Sequence, residues 1–469
     1  MSLRSRPTTA SRAAVALTGL ALAASLVGAP GAAATAVDRQ RDGSEPLPGY
    51  TISNPPLEPL VVEGEPTRVR QGVREPAAYT IEVPPDWNGE LVLWAHGYRG
   101  TGTVLTVDPP GFGLRQRLLE QGYAWAASSY ARNGYDVRTG VLTTRDLAGY
   151  AARLLRRSEG ERPERTYVTG VSMGGHVIGR SLEQYPRFYD GALPMCGVLG
   201  DHELFDYFLS YNLLAQDLAD VDAYPVPADY QSEVVPQIKS ELGLGGPIGA
   251  PITNPRGAQL RDLTTELSGG QRPGADVAFP VWKDFLFTLA TPDDGGPLAL
   301  NGGRLAQNLD TAYTPRTPVD VDATVERVAP SDPRLRRTRS LTAIPRIEGR
   351  PKVPVLTLHD LGDLFVPFSM EQVYAREAAR RGQEDLLVQR AVRAAGHCEF
   401  TDAEVARAWD DLTTWVESRG LQARPAGDDV LTPAVLAEPT YGCEFTDPAG
   451  YAQPQRYPTR ALYPRCPER

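Results

Sequence analysis

One serine stands out in this sequence because of the glycines around it. Gly170-Val171-Ser172-Met173-Gly174-Gly175 follows a strand-like segment at 165–170 and precedes a helical pattern at 174–185. A tight turn from strand to helix needs small residues on both sides of the serine, because the backbone there approaches its neighbours closely. Such a turn presents the hydroxyl at a helix N-terminus, where the helix dipole favours a developing negative charge. The pattern predicts that Ser172 is a nucleophile.

A serine hydroxyl is a poor nucleophile until a base takes its proton, and histidine is the usual base. The chain has five histidines, at positions 96, 176, 202, 359 and 397. His96 begins a His-Gly pair at a strand end, which suits an oxyanion loop better, and His176 is expected to pack or bond locally on the helix of Ser172. His397 follows the last predicted strand, at 386–391, where a base supplied late in the chain should lie. We therefore predict that His397 is the base.

A carboxylate should complete the constellation by fixing the histidine tautomer and stabilising the imidazolium. The predicted strand at 353–359 ends in an acidic turn with two candidates, Asp360 at the strand end and Asp363 beyond it. We predict Asp363, with Asp360 as the alternative. The chain order serine, aspartate, histidine then agrees with the hydrolase elbow motif.

Two backbone N–H groups are needed to stabilise the oxyanion of a tetrahedral intermediate. Met173, the residue after the nucleophile, is expected to supply one of them. The second is expected from Tyr98, in the loop His96-Gly97-Tyr98-Arg99-Gly100 that follows a predicted strand at 91–95.

These residues need a sheet to bring them together. Short apolar segments alternate with helical patterns over 76–200 and again over 351–420. This alternation predicts an α/β fold whose central sheet is mostly parallel and has helices on both faces. The polar stretch at 201–350 interrupts it, with helical fragments at 204–218 and 281–289. Because an unstructured loop of that length is improbable, we expect a largely helical cap insertion between two parts of one core.

The N-terminus has the features of an export signal. Arginines precede an apolar run at 13–27, and small residues follow over 28–36. This order predicts a secretory signal peptide at 1–36, cleaved after Ala34 or Ala36. An uncleaved membrane anchor is the alternative, although the run is shorter than the roughly 20 apolar residues of a comfortable span.

The four cysteines favour disulfides in an exported protein, and four cysteines allow three pairings. Cys443 and Cys466 lie together in the tail at 421–469, which has little core of its own. Cys398 directly follows His397, so a bridge there would hold the loop of the base. We predict the pairs Cys196–Cys398 and Cys443–Cys466.

The net charge of −10 disfavours a nucleic-acid partner, which would need a basic face. We expect no cofactor, and no metal because the chain has no CxxC motif or Cys/His cluster. Residues 37–75 are rich in Pro, Gly and charge, which predicts an irregular N-terminal arm.

The matching pieces resemble the α/β-hydrolase superfamily: His96-Gly97, Gly170-x-Ser172-x-Gly174, Asp363 and Gly396-His397. The chain is most similar to secreted actinobacterial hydrolases of the esterase and lipase type. The His-Cys pair also resembles the tannase and feruloyl esterase group, where a disulfide joins cysteines beside the nucleophile and the base. Here Val171 and Met173 flank Ser172, so such a bridge would have to come from Cys196.

We therefore expect a secreted serine hydrolase that cleaves small-molecule or polymeric carboxylic esters through an acyl-enzyme, without stable membrane insertion after signal cleavage. A serine peptidase of the same fold is the alternative, with Glu203 and Asp206 holding a free substrate amine. A non-catalytic binding protein on the same scaffold is a further hypothesis. Six aromatic residues of the cap are candidates either for lining the substrate pocket or for the cap's own core: Phe205, Tyr207, Phe208, Trp282, Phe285 and Phe287.

Overall fold

The computed structural model describes residues 39–41, 45–74, 76–290, 304–418 and 423–467. The predicted signal peptide therefore lies outside the described residues. The strands are β1 (Arg39–Arg41), β2 (Thr51–Ile52), β3 (Val61–Val62), β4 (Glu65–Pro66), β5 (Arg68–Arg74), β6 (Ala77–Val83), β7 (Glu90–Ala95), β8 (Val104–Leu105), β9 (Ala124–Ser128), β10 (Arg165–Val171), β11 (Gly191–Met195), β12 (Val355–Asp360) and β13 (Leu387–Val392).

Helices connect these strands and fill the long insertion between β11 and β12. They are α1 (Leu114–Glu120), α2 (Val137–Ser158), α3 (Met173–Gln184), α4 (Glu203–Ala219), α5 (Val235–Glu241), α6 (Pro255–Leu267), α7 (Ala275–Phe287), α8 (Val321–Thr324), α9 (Pro333–Arg337), α10 (Ser369–Arg380), α11 (Asp402–Glu417) and α12 (Pro433–Leu436). Among the described residues, no helix combines the length and the apolar character needed to cross a membrane.

The central sheet is mostly parallel. Its strands lie in the order β1-β5-β6-β9-β7-β10-β11-β12-β13 in the described part of the chain. The neighbours from β9 to β13 pair in parallel, whereas β6 pairs antiparallel with both β5 and β9. Parallel strands need crossover connections, and helices α2, α3 and α10 lie in these connections. The chain has the α/β-hydrolase fold expected from the sequence.

Both faces of the sheet are buried under helices. Successive side chains of a strand point to opposite sides, so neighbouring residues of one strand enter different cores. On β7, Leu93 packs into one core with Val141 of α2 and Val177 of α3. The next residue, Trp94, packs into a second core with Trp409 of α11. The near-continuous apolar strands of the sequence reflect this double burial.

The N-terminal arm at 37–75, expected to be irregular, contains a long paired strand. Residues Arg68–Arg74 form β5, which pairs along its length with β6. The arginines of this strand made it look like a charged, irregular segment in the sequence. Two of them form ion pairs with the neighbouring helix α2: Arg74 lies 2.6 Å from Asp146, and Arg68 lies 2.7 Å from Glu159 at the end of that helix. Arginine is compatible with a strand when its charge is paired and its stem covers apolar surface.

The insertion between β11 and β12 packs mainly on itself and on the core that surrounds α3. Helix α4 contacts α5, α6, α7 and α8, and α6 also contacts α7. Helix α4 is buried on nearly every face, and its buried residues include polar side chains such as Asn212 and Gln216 beside the apolar ones. Its side chains belong to the same hydrophobic core as those of α2 and α3.

Candidate active site

The turn between β10 and α3 holds Ser172 in a strained conformation. Its φ of 58° and ψ of −124° lie outside the regions that most non-glycine residues adopt. A Cβ on Gly170 or on Gly174 would lie 2.1 Å from the carbonyl oxygen of Ala95. Both positions therefore require glycine, because any side chain would push the turn away from β7.

Three predicted residues from distant parts of the chain meet at this turn. The Nε2 atom of His397 lies 2.9 Å from Oγ of Ser172, and its Nδ1 atom lies 2.6 Å from Oδ2 of Asp363. Since the carboxylate is an acceptor, Nδ1 carries the proton, and Nε2 is free to accept the serine proton. The arrangement can convert the Ser172 hydroxyl into a nucleophile.

The turn after β12 holds Asp363 in place. Its carboxylate is fully buried, and Oδ1 accepts hydrogen bonds from the N–H groups of Phe365 and Val366. The alternative acid, Asp360, is also buried, but its Oδ2 accepts from the N–H of Glu399. Burial raises the pKa of Asp360 well above its ordinary value. The structure thus directs Asp363, not Asp360, at His397.

The other four histidines are buried and have partners elsewhere. His176 contacts the hydroxyl of Tyr135 at 3.0 Å and a backbone carbonyl at 2.7 Å, and burial lowers its pKa to about 3. His202 also contacts a backbone carbonyl, and burial lowers its pKa to about 4. His359 pairs with Glu371. His176 and His202 are thus kept neutral by burial, and His359 is committed to Glu371, so none of the three is suited to exchange protons with a substrate.

The loop after β7 lies against the nucleophile. A Cβ on Gly97 would lie 3.0 Å from Cβ of Ser172, so this backbone passes directly beside the serine. The His96 ring stacks on Tyr130 with 3.8 Å between centroids, and burial lowers the pKa of His96 to about 3. The predicted oxyanion donor Tyr98 is the next residue after Gly97.

Met173, the other predicted oxyanion donor, is the first residue of α3. The first N–H groups of a helix have no acceptor four residues earlier, so they are available to a ligand. The N–H of Met173 is therefore at the start of the helix that follows Ser172, and its role as an oxyanion donor stays a prediction.

Both predicted disulfides are present. Cys196, immediately after β11, is bonded to Cys398, and Cys443 is bonded to Cys466. The Cys196–Cys398 bond joins two segments that lie 202 residues apart in sequence. It ties the residue that follows His397 to the sheet. Cys196, His397 and Cys398 lie close enough to resemble a metal-ligand cluster, but the sulfurs are bonded to each other, so no thiolate is available.

Three contacts to the histidine loop escaped the sequence analysis. The Phe365 ring lies 5.0 Å from the His397 ring, and the indole N–H of Trp282 donates to the carbonyl of Ala395 at 2.5 Å. Thr459 of the tail accepts a hydrogen bond from the N–H of Ala395. Of these three residues, Phe365 was the easiest to find from the sequence, because it lies two residues after Asp363 in the same turn.

The structure gives Asp206, one of the two acidic residues suggested for binding a substrate amine, partners within the protein. Asp206 is buried and accepts two hydrogen bonds from Arg336, at 2.8 and 2.7 Å, and one from the N–H of Gln307. The protein's own guanidinium therefore occupies this carboxylate. Glu203 is exposed at the start of α4.

Comparison of the sequence with known proteins finds a relative that matches most of the chain. No family model matches the chain. The o-phthalyl amidase of Xanthobacter agilis is 34% identical over 394 residues, which cover 71% of this chain and 83% of that protein.

Solved structures with a similar fold are more distant. An esterase from Aspergillus oryzae has a TM-score of 0.45 and 12% identity, covering 75% of this chain and 79% of that one. Feruloyl esterase B from Aspergillus oryzae has a TM-score of 0.40 and 12% identity, covering 75% and 81%. The acylaminoacyl peptidase of Pyrococcus horikoshii has a TM-score of 0.36 and 13% identity, covering 78% and 43%.

Proposed function

Because the chain belongs to the family of the Xanthobacter agilis o-phthalyl amidase and has the α/β-hydrolase fold, we propose that it hydrolyses carboxylic esters through an acyl-enzyme on Ser172. The observation that carries this proposal is the continuous hydrogen-bonded chain from Asp363 through His397 to the Ser172 hydroxyl. It supplies a nucleophile, a base and a group that orients the base.

In the proposed reaction, Oγ of Ser172 attacks the ester carbonyl carbon while Nε2 of His397 takes its proton. The negative charge that develops on the carbonyl oxygen is stabilised by the N–H groups of Met173 and Tyr98. The carbon–oxygen bond to the alcohol then breaks, and His397 gives its proton to the departing oxygen. Asp363 accepts a hydrogen bond from the protonated Nδ1 and stabilises the imidazolium between the two transfers.

Water completes the proposed cycle. His397 removes a proton from a water molecule, whose oxygen attacks the acyl-enzyme carbonyl. The bond to Oγ of Ser172 breaks, the serine recovers the proton from His397, and the carboxylic acid leaves. The second half therefore regenerates the starting enzyme.

Amide hydrolysis is a second candidate, which the 34% identity to an amidase favours. The same residues would act, with a nitrogen in place of the leaving oxygen. An ester and an amide with a common acyl group, p-nitrophenyl butyrate and butyryl p-nitroanilide, separate the two candidates by their kcat/KM values.

A fluorophosphonate probe tests the nucleophile. We expect one covalent label, located on Ser172 by mass spectrometry, and loss of both label and ester hydrolysis in Ser172→Ala. Ser181→Ala is the matched control, since Ser181 is a buried serine on the same helix. Ester hydrolysis at the wild-type rate by Ser172→Ala would refute the proposal.

We also propose that the protein is secreted. The signal-like N-terminus and the two disulfides support export to an oxidising compartment. N-terminal sequencing of protein from the culture medium tests this. A mature chain that begins just after Ala34 or Ala36 is expected, whereas retention of the intact chain in the membrane fraction contradicts it.

A further inference from the structure

An aromatic ring touches the histidine of the proposed triad. The centroid of the Phe365 ring lies 5.0 Å from that of His397, with the rings inclined at 64°. The N–H of Phe365 donates to Asp363, so the same turn fixes the ring and the carboxylate. Phe365 is therefore held at a defined position beside the imidazole.

Helix α7 extends this aromatic surface. Its Phe285 ring lies 4.9 Å from Phe365 in an edge-to-face arrangement, and its Trp282 ring lies 5.5 Å from Phe285. The indole N–H of Trp282 donates to the carbonyl of Ala395, two residues before His397. That bond fastens α7 to the histidine loop, so the three rings keep their place relative to Nε2. We call Trp282, Phe285 and Phe365 the aromatic wall.

Burial separates the wall from the other cap aromatics. Phe208 stacks on Phe365, with 6.1 Å between centroids and an interplanar angle of 18°, and is 2% exposed. Phe205, Tyr207 and Phe287 are similarly buried and belong to the core. The three wall residues are only partly buried, so their rings keep accessible surface, and Phe365 links them to His397.

We propose that the aromatic wall binds the leaving group, and that it selects esters of aromatic alcohols such as benzyl esters. This inference rests on the proposed function, because it uses the direction of proton transfer. His397 gives its proton to the departing oxygen, so the departing group lies on the histidine side of the carbonyl. Rings attract one another edge-to-face and offset-stacked, beyond the gain from apolar burial alone. A flat aromatic group there meets three ring surfaces, whereas a saturated ring of equal size lacks these specific contacts.

Benzyl butyrate and cyclohexylmethyl butyrate provide the test with the full chain. They share the acyl group and the leaving-group connectivity, and they differ in aromaticity. We expect kcat/KM to favour the benzyl ester by about fivefold. Replacing one wall residue, in Phe285→Leu, should bring the ratio close to one. Phe188→Leu is the matched control, because Phe188 is a partly buried aromatic residue that packs against Tyr189 outside the site, and it should keep the wild-type ratio.

Product inhibition gives a measurement that needs no variant. Benzyl alcohol should inhibit the wild-type enzyme more strongly than cyclohexylmethanol does. A second pair, methyl phenylacetate and methyl cyclohexylacetate, places the ring on the acyl side, and there we expect no aromatic preference.

The outcomes separate the two proposals. Equal kcat/KM for both butyrates, together with fluorophosphonate labelling of Ser172, overturns the leaving-group site alone. An aromatic preference confined to the acyl pair overturns it too, because the wall would then lie on the wrong side of the carbonyl. Absence of both labelling and ester hydrolysis overturns the proposed function and this inference with it.

Discussion

The imidazole of His359 and the carboxylate of Glu371 meet at 3.1 Å in the buried interior, and His359 precedes Asp363 by four residues. The other ring nitrogen of His359 lies 2.8 Å from the carbonyl of Val366. Both nitrogens therefore face acceptors, and a ring that satisfies both carries two protons and a positive charge. Because Val366 also donates its N–H to Asp363, this ion pair supports the turn that holds the proposed acid.

Removing the imidazole should destabilise the protein. His359→Gln leaves the buried Glu371 carboxylate without its cation, which typically costs about 3–5 kcal/mol in the free energy of unfolding. Denaturant unfolding measures this loss. The double variant His359→Gln/Glu371→Gln removes the stranded charge and should recover part of the stability. Equal stability of the single and double variants would show that the pair is not charged.

The stabilisation from His359 should depend on pH in one direction. Burial alone would lower the pKa of this imidazole, but the hydrogen bond and charge of Glu371 outweigh burial, so the pKa is raised above its ordinary value of 6.5. The contribution is then complete below pH 6.5 and is lost as the pH rises through the raised folded-state pKa. The Tm difference between wild type and His359→Gln should shrink across that range. A difference that grows with pH contradicts the assignment.

The glycine beside the nucleophile should be sensitive to a single methyl group. In Gly97→Ala the new Cβ would lie 3.0 Å from Cβ of Ser172, so either the loop or the serine must move. We expect kcat to fall about tenfold, because misplacing reacting groups is costly even when folding is intact. Gly102→Ala is the matched control in the same loop, since nothing lies within 4 Å of its added Cβ. Esterase kinetics with Tm measurements distinguish a local effect from unfolding.

The two disulfides should differ in both stability and activity. In the loop-entropy model, closing the 202-residue separation stabilises by about 5 kcal/mol and the 23-residue separation by about 3 kcal/mol. Replacing Cys196 and Cys398 with alanine should therefore lower the Tm more than replacing Cys443 and Cys466. It should also lower kcat, because Cys398 adjoins His397. Equal kcat for the two double variants would show that the bond does not position the histidine.

Local sequence patterns were sufficient for the nucleophile turn and for the order of the proposed triad. The glycines around Ser172 are visible because a tight turn constrains its immediate neighbours, and Asp363 and His397 follow predicted strands whose ends meet at one edge of a parallel sheet. The pairing of Cys196 with Cys398 was one of three possible pairings, and it was chosen because Cys443 and Cys466 lie together in the tail and Cys398 adjoins His397.

Contacts made by the cap and the tail could not be predicted in this way. The hydrogen bond between Trp282 and Ala395 joins residues that are 113 positions apart in sequence. Trp282 lies on a helix and Ala395 in a loop, so no strand pairing relates the two segments. The strand Arg68–Arg74 was missed for a related reason, because its arginines pair with a helix that follows much later in the chain. Such partners depend on tertiary packing, which overrides local composition.

The tail contact of Thr459 leads to a last prediction. Its hydroxyl oxygen accepts from the N–H of Ala395 at 3.0 Å and donates to Oε2 of Glu399 at 2.8 Å, so it bridges the two ends of the loop that contains His397. Thr459→Val keeps the shape but leaves the N–H and the carboxylate without this partner, a cost of about 1–3 kcal/mol. If the bridge positions the histidine, kcat for ester hydrolysis should fall about tenfold and KM should change little.

Thr459→Ser restores the hydroxyl and should recover kcat, whereas Thr432→Val, at an exposed position of the same tail, should leave it unchanged. Separate values of kcat and KM, taken together with the Tm, distinguish positioning of the histidine from stability alone. A lower Tm with wild-type kcat would assign Thr459 a structural role only.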